Sequence, residues 1–189
     1  NTPDILHEYL QDGGRAAFRI RLLLAGTLSP SYGIYSGFEL CENAPVRRGS
    51  EEYLDSEKYQ ITVRDWHAPG NIRADVAQLN RIRREHPALQ RLDNLRFLQS
   101  ELEPVLAYWK GAPGDDLIVV VNTDPHHAHE TFVHVPVDEI GLGHHQPYQV
   151  IDLLTGERYS WQGARNFVRL DPGDKVGHVL RIVRSDAEA

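Results

Sequence analysis

The chain has 189 residues, of which 41% are hydrophobic and 25% charged, so its composition is that of a globular protein able to bury at least one complete core. Its 20 basic and 27 acidic residues give a formal net charge of −7, which argues against nucleic acid as the main partner. No run of about 18 apolar residues exists, so we expect no membrane span. The single cysteine, Cys41, is typical of a reducing compartment, and the cytoplasm is therefore the expected location.

The first segment carries an isolated carboxylate. Asp4 follows Asn1-Thr2-Pro3, in a pattern that belongs at the end of a barrel strand. Because the chain begins there without a methionine or a leader, we expect it to be a fragment of a longer polypeptide.

Between residues 15 and 28 apolar side chains are too dense for a surface helix. This density predicts a mostly buried helix that ends before Pro30.

A short buried strand is predicted at residues 33–37. Its glycines suit a close approach of backbone or ligand, and Glu39 follows at once, as at the rim of a barrel. The next stretch, to residue 70, is polar and lacks a clean period. A loop of about thirty residues is unusual in a compact domain, and such loops more often than not take part in binding or catalysis.

A second helix begins at Gly70-Asn71 and closes at His86-Pro87. Its apolar positions are spaced by four, three and three residues, and its opposite face is polar, which predicts a helix on an outside surface. The apolar positions are Ile72, Val76, Leu79 and Ile82. Arg73-Ala74-Asp75 copies the Arg-x-Asp of glycosidase nucleophiles, but its place on the polar helical face marks it as a coincidence.

Beyond residue 89 the chain consists of short β-branched and aromatic runs bounded by turn residues. Eight such runs at this spacing predict an antiparallel sandwich. The predicted strands are residues 95–99, 105–110, 117–122, 131–135, 148–154, 158–161, 167–170 and 178–183. We therefore predict two domains, residues 1–90 and residues 91–189.

The candidate binding residues lie in the first of these domains. Asp4 is either an active-site carboxylate or a helix N-cap. Glu39 contacts sugar, orients an arginine of the site, or forms a buried structural salt bridge. In the long loop, Glu57, Lys58 and Tyr59 combine charge with an aromatic ring, as in sites for polyhydroxyl ligands, although a solvated charged loop has the same composition.

Histidines are frequent in the second domain, but a metal site is not expected. They lie in a turn and an alternating strand without partner cysteines, so a solvent-exposed segment is the better interpretation. They are His126, His127, His129, His134, His144 and His145.

Three segments resemble the α-amylase superfamily, glycoside hydrolase family 13. Residues 33–39 are similar to its eighth barrel strand, residues 79–89 to its closing barrel helix, and residues 117–122 to a strand of its C-terminal β-domain. Most members carry Asn-His-Asp where this chain has Thr2-Pro3-Asp4. The Thr-Pro-Asp sequence resembles the α-1,4-glucan:maltose-1-phosphate maltosyltransferase family instead. The same resemblance extends to residues 40–43, 51–59 and 64–71.

The resemblance implies the end of a (β/α)8 TIM barrel, contributing the last strand and outer helices, followed by an all-β antiparallel sandwich. It implies retaining transfer of maltosyl units from maltose 1-phosphate to an α-1,4-glucan, with release of phosphate. Asp4 would stabilise the transition state, and Lys58 and Tyr59 would contact the maltosyl donor, with Glu39 and Glu57 as further candidates. No metal or organic cofactor is implied.

The same resemblance places the nucleophile and the acid/base upstream, so the chain alone would be inactive and its partner would be the remainder of the enzyme. A homodimer is also implied.

Two alternatives stay open. One is a hydrolase or trehalose synthase of the same superfamily, from which Pro3 and the loop sequence separate the chain. The other is a carbohydrate-binding module with an exposed line of aromatic residues, namely Tyr108, Trp109, Tyr159 and Trp161.

Overall fold

A computed structural model describes residues 1–59 and 61–183 of the chain. The helices are α1 (Glu8–Asp12), α2 (Gly14–Leu28), α3 (Arg73–Glu85) and α4 (Val137–Ile140). The strands are β1 (Leu95–Leu98), β2 (Val105–Ala112), β3 (Asp115–Asn122), β4 (His129–His134), β5 (Pro147–Asp152), β6 (Arg158–Gln162), β7 (Arg165–Leu170) and β8 (Gly177–Val183). Each of the eight predicted strands is therefore present, with ends shifted by at most two residues.

The strands form two antiparallel sheets. The larger has the order β1-β2-β3-β8-β5-β6, and the smaller pairs β4 with β7. Strand β3 lies inside the larger sheet and every one of its residues is buried. Such complete burial requires a cover on both faces, because successive side chains of a strand point to opposite sides.

The two covers are of different kinds. Val119 and Val121 of β3 belong to a core shared with α2 and α3, whereas Ile118 and Val120 belong to a core shared with β4 and β7. The protein is thus built of three layers, with helices on one face of the larger sheet and the smaller sheet on the other.

Helix α2 is the buried helix that the sequence predicts. Phe18, Leu22 and Leu23 pack in the core with residues of β2, β3 and β8. Helix α3 is also confirmed, and its apolar stripe contacts α2. Its polar face is not wholly free, because Asp75 accepts from Arg19 (2.9 Å) and Arg15 (3.2 Å), which gives the Arg-x-Asp sequence a structural role.

The predicted strand at residues 33–37 is wrong for this chain. Gly33 and Ser36 are exposed, and Gly37 adopts a left-handed conformation (φ 99°) that starts a short 3-10 helix at Phe38–Leu40. A strand requires a neighbour for its backbone hydrogen bonds. No described residue supplies such a ladder here, so the segment remains irregular.

Helices α1 and α4 were not predicted, because four or five residues show too little periodicity to be recognised. The division into two domains near residue 90 stays a prediction, although helices and sheet share one core across that point. Within the described residues, no helix has the length and apolarity needed to cross a membrane.

The contact between α2 and β8 gives a test of this packing. A Cβ atom at Gly177 would lie 2.6 Å from Cδ2 of Leu23 and 2.6 Å from the carbonyl oxygen of Val120. The added methyl group would clash with the backbone oxygen, which cannot move aside as a flexible side chain can. Gly177→Ala is therefore expected to lower the free energy of unfolding by about 1–3 kcal/mol. Urea unfolding of both proteins measures the difference.

Gly173→Ala is the matched control. This glycine is exposed in the turn before β8, and its nearest contact would be Asp171 Oδ1 at 3.3 Å. The control should change stability by less than about 0.5 kcal/mol. Equal effects at the two positions would contradict the tight packing of α2 on β8.

Candidate functional site

Asp4 and Lys58, which are 54 positions apart, are in contact. The ammonium of Lys58 donates to Oδ1 of Asp4 at 2.5 Å. Asp4 lies in a turn closed by hydrogen bonds between Thr2 and Ile5, and it does not cap a helix. The N-cap of α1 is His7, whose Nδ1 accepts from the backbone N–H of Tyr9, so the helix-cap interpretation of Asp4 is wrong.

Ser56 connects the two segments that carry this ion pair. Its hydroxyl is oriented towards the carbonyl oxygen of Pro3 (3.4 Å) and accepts from the backbone N–H of Lys58 (3.3 Å). Its carbonyl oxygen accepts from the N–H of Tyr59 at 2.9 Å. Ser56 is buried, whereas Tyr59 is 71% exposed, so the turn presents the side chains of Lys58 and Tyr59 to the outside from a buried base.

The charge of Lys58 is held in place by its neighbours. The hydrogen bond to Asp4, followed by that to Tyr59, raises the pKa of the Lys58 ammonium above its ordinary value. The ammonium also lies 5.2 Å from the centre of the Tyr59 ring, within the range of a cation–π contact. Carboxylate, ammonium and phenol therefore form one exposed polar cluster with donors and acceptors suited to sugar hydroxyls.

Glu57 is exposed, but its carboxylate contacts Arg64. Arg64 Nη1 lies 2.7 Å from Glu57, while Nε and Nη2 of the same side chain form a two-pronged contact with Glu42 at 2.7 and 3.1 Å. The hydrogen bonds that Arg64 donates to Glu42 outweigh the opposing effect of burial and raise the pKa of Arg64. The sequence analysis did not select Glu42 or Arg64, because nothing in their spacing reveals a contact across 22 residues.

Glu39 has a local structural role in this chain. Its carboxylate accepts from the backbone N–H of Gly37 at 3.2 Å, and its carbonyl oxygen accepts from the N–H of Ile72 at 2.8 Å. Among the described residues no arginine forms an ion pair with Glu39, and Arg64 contacts Glu42 and Glu57. A role for Glu39 in sugar binding stays a prediction.

An apolar groove of about 490 Å³ lies between the start of the chain and α2. It is lined by side chains of the segment before α1, of α1, of α2 and of the segment after α2. They include Ile5, Leu10, Leu24, Leu28, Ile34 and Phe38. Ile5 is 47% exposed there, so this part of the surface is less polar than the Asp4–Lys58 cluster.

Several histidines of the sandwich contact carboxylates. His127 and His129 lie 2.8 and 3.1 Å from Asp124, and His134 lies 2.9 Å from Glu101. Burial opposes ionisation of Asp124, but hydrogen bonds from the backbone of His126 and from the two imidazoles outweigh it and lower the pKa of the carboxyl. In the portions of the chain covered by the structure, no group of three or more such side chains is arranged to hold a metal.

The line of aromatic residues that a carbohydrate-binding module would need is not exposed. Tyr108 is fully buried against Thr27 of α2, and Trp161 is 7% exposed. Trp109 is partly buried and donates to Asp116 at 3.0 Å. Strand alternation places Tyr108 and Trp109 on opposite faces, whereas Tyr159 and Trp161, two residues apart, share a face and both pack on the core.

The chain matches known proteins over its whole length. Residues 97–182 match the family described as "GLGE, C-terminal". The chain is 52% identical over its full length to alpha-1,4-glucan:maltose-1-phosphate maltosyltransferase 2 of Streptomyces coelicolor and covers 29% of that protein. It is 47% identical to the maltosyltransferase of the same name from Methylacidiphilum infernorum, with 96% of this chain and 28% of the relative covered.

Solved α-amylases share the fold at much lower identity. The Anoxybacillus α-amylase superposes on 98% of this chain and 37% of its own, with a TM-score of 0.68 and 13% identity. The match to the Geobacillus thermoleovorans α-amylase covers 98% of this chain and 38% of the amylase, with a TM-score of 0.66 and 14% identity. The antiparallel β-domain is therefore similar to the C-terminal domains of α-amylase-family structures.

The curated relatives extend well beyond this chain, which spans 28–29% of the first three. The match to the first Streptomyces coelicolor relative nevertheless covers 100% of this chain. The chain is thus a homologue of the C-terminal part of the α-1,4-glucan:maltose-1-phosphate maltosyltransferases.

Proposed function

We propose that the chain is the C-terminal part of a retaining maltosyltransferase that extends α-1,4-glucans from maltose 1-phosphate. The observation that carries the proposal is the contact of Asp4 with Lys58 beside Tyr59, in a chain 52% identical to a relative of that name. A helix cap and a solvated loop, the simpler interpretations of these residues, do not account for a cluster built from two distant segments.

The reaction takes place in two displacements. In the first, a carboxylate of an upstream segment attacks C1 of the maltosyl group, the C1–O bond to phosphate breaks, and phosphate leaves. In the second, the 4-hydroxyl of the glucan end attacks C1, the C1–O bond to the enzyme carboxylate breaks and frees that carboxylate, and the hydroxyl proton passes to the acid/base. Because the nucleophile and the acid/base lie upstream, the chain alone is inactive.

Asp4 and Lys58 act on the maltosyl group. As the ring flattens towards an oxocarbenium ion, hydrogen bonds from its hydroxyls to a fixed carboxylate strengthen, so Asp4 lowers the barrier. Lys58 keeps its proton and donates to donor hydroxyls, while Tyr59 supplies an apolar ring face and a hydroxyl. Glu39 and Glu57 are further candidates for this site, acting from beside it.

The remainder of the polypeptide completes the fold. The apolar groove along α2 offers a surface on which upstream elements of the barrel pack. The boundary near residue 90 then separates the barrel from the sandwich. The assembled enzyme is a cytoplasmic homodimer in this proposal.

The role of Asp4 is tested in the full-length enzyme with Asp4→Asn. Asparagine keeps the shape but loses the negative charge, so turnover should fall by about 10² or more while the fold persists. The Asp4–Lys58 pair is more than one-third exposed at both ends, so solvent screens it and its loss should change stability little. Initial rates and melting temperature are measured on the same preparation.

A matched control is Asp12→Asn, which changes an aspartate at the end of α1. It should preserve turnover. A fall in melting temperature on Asp4→Asn with unchanged turnover per folded molecule would show that Asp4 is structural.

The role of Lys58 is tested with Lys58→Ala. Loss of a charged donor should weaken use of maltose 1-phosphate by about 1.5–3 kcal/mol, or roughly 10- to 150-fold in kcat/KM, and spare the KM of the glucan. Steady-state kinetics with each substrate varied in turn measure both. Arg47→Ala, an exposed cation in the same loop, is the control. An effect confined to the glucan would place Lys58 on the acceptor side.

A further inference from the structure

Arg64 occupies an unusual place for a residue of an irregular loop. Its side chain is only 6% exposed, and its three guanidinium nitrogens contact Glu42 and Glu57. Arginine is suited to such a position, because its planar fork bridges two carboxylates while keeping its charge. With every nitrogen engaged and little surface exposed, Arg64 itself does not face a ligand.

The first carboxylate that Arg64 contacts is fixed by the backbone. The side chain of Glu42 packs against Gly37, so closely that a Cβ atom on Gly37 would overlap Oε2 of Glu42. The backbone N–H of Glu42 also donates to the carbonyl oxygen of Gly37 at 3.1 Å. Gly37 in turn begins the 3-10 helix whose Phe38 is buried in the core. Glu42 therefore connects Arg64 to the rigid part of the fold.

The second carboxylate belongs to the donor-binding segment. Glu57 directly precedes Lys58 and Tyr59, and Ser56 on its other side is oriented towards Pro3. The segment is thus attached on one side to the chain start that carries Asp4 and on the other, through Arg64, to the turn at Gly37. Between these attachments the ammonium of Lys58 reaches Asp4.

We infer that Arg64 is a positioning residue, which holds Glu57 so that Lys58 and Tyr59 face the maltosyl donor. This inference rests on the proposed function and adds a determinant of donor recognition that does not touch the donor. Without the guanidinium, Glu42 and Glu57 would be two facing carboxylates with no counter-charge, and their repulsion would displace the residue next to Lys58. Lysine cannot replace the two-sided contact, because it offers a single point charge.

A double-mutant cycle in the full-length enzyme tests the inference. Four proteins are compared: the wild type, Arg64→Gln, Lys58→Ala and the double variant. If Arg64 acts through Lys58, Arg64→Gln raises the KM for maltose 1-phosphate by about tenfold alone, but by less than about twofold when Lys58 is already alanine. The KM for the glucan acceptor stays unchanged in all four.

Arg47→Gln is the control for loss of a positive charge in the loop, since Arg47 is exposed, and it should leave both KM values unchanged. Arg64→Lys should behave like Arg64→Gln at the donor. If Arg64→Gln fails to fold, Glu57→Gln replaces it in the cycle, because it removes the contact with the loop and leaves Arg64 bound to Glu42.

The outcomes separate the inference from the proposed function. Equal effects of Arg64→Gln with and without Lys58, or an effect on melting temperature alone, overturn the positioning role while the donor role of Lys58 stands. A Lys58→Ala variant with normal donor KM overturns the donor role itself, and the positioning role with it. Non-additive effects confined to the donor KM support both.

Discussion

Complete burial of β3 is the constraint on which the rest of the structure depends. All residues of Asp115–Asn122 are inaccessible, so both faces of the larger sheet need an apolar cover. The β4–β7 sheet supplies one cover and α2 with α3 supplies the other. Because the helices are fixed on the sheet, the segments attached to them are fixed as well. The hydroxyl of Tyr9 in α1 donates to Thr123 just beyond β3 at 2.8 Å, which anchors the segment that carries Asp4.

The long loop owes its order to its ends and to its contacts with the chain start. Its base is closed where the N–H of Ile72 donates to the carbonyl oxygen of Glu39, at 2.8 Å. Its middle is held by the N–H of Leu6, which donates to the carbonyl oxygen of Glu51, and by Tyr53, which is only 6% exposed. An irregular backbone must satisfy its polar groups by such specific contacts, since it has no repeating ladder. The same contacts bring Lys58 to Asp4.

Sequence and structure agree best where the determinants are local. The eight strands follow from β-branched runs between turn residues, and α2 and α3 follow from the spacing of their apolar residues. They disagree at residues 33–37, whose composition favours a strand but which have no neighbouring strand in the described chain. Residue type sets a preference for a strand, while the ladder that stabilises it comes from another segment.

The sequence by itself determined the elements of the sandwich, the two main helices and the family that Asp4, Lys58 and Tyr59 resemble, because each depends on neighbouring residues or on a short motif. Only the tertiary structure decided which charges meet. The contacts of Lys58 with Asp4 across 54 positions, and of Arg64 with Glu42 across 22, result from the path of an irregular loop. A pairing of this kind has no period and no fixed spacing, so the packing of the loop against the chain start determines it.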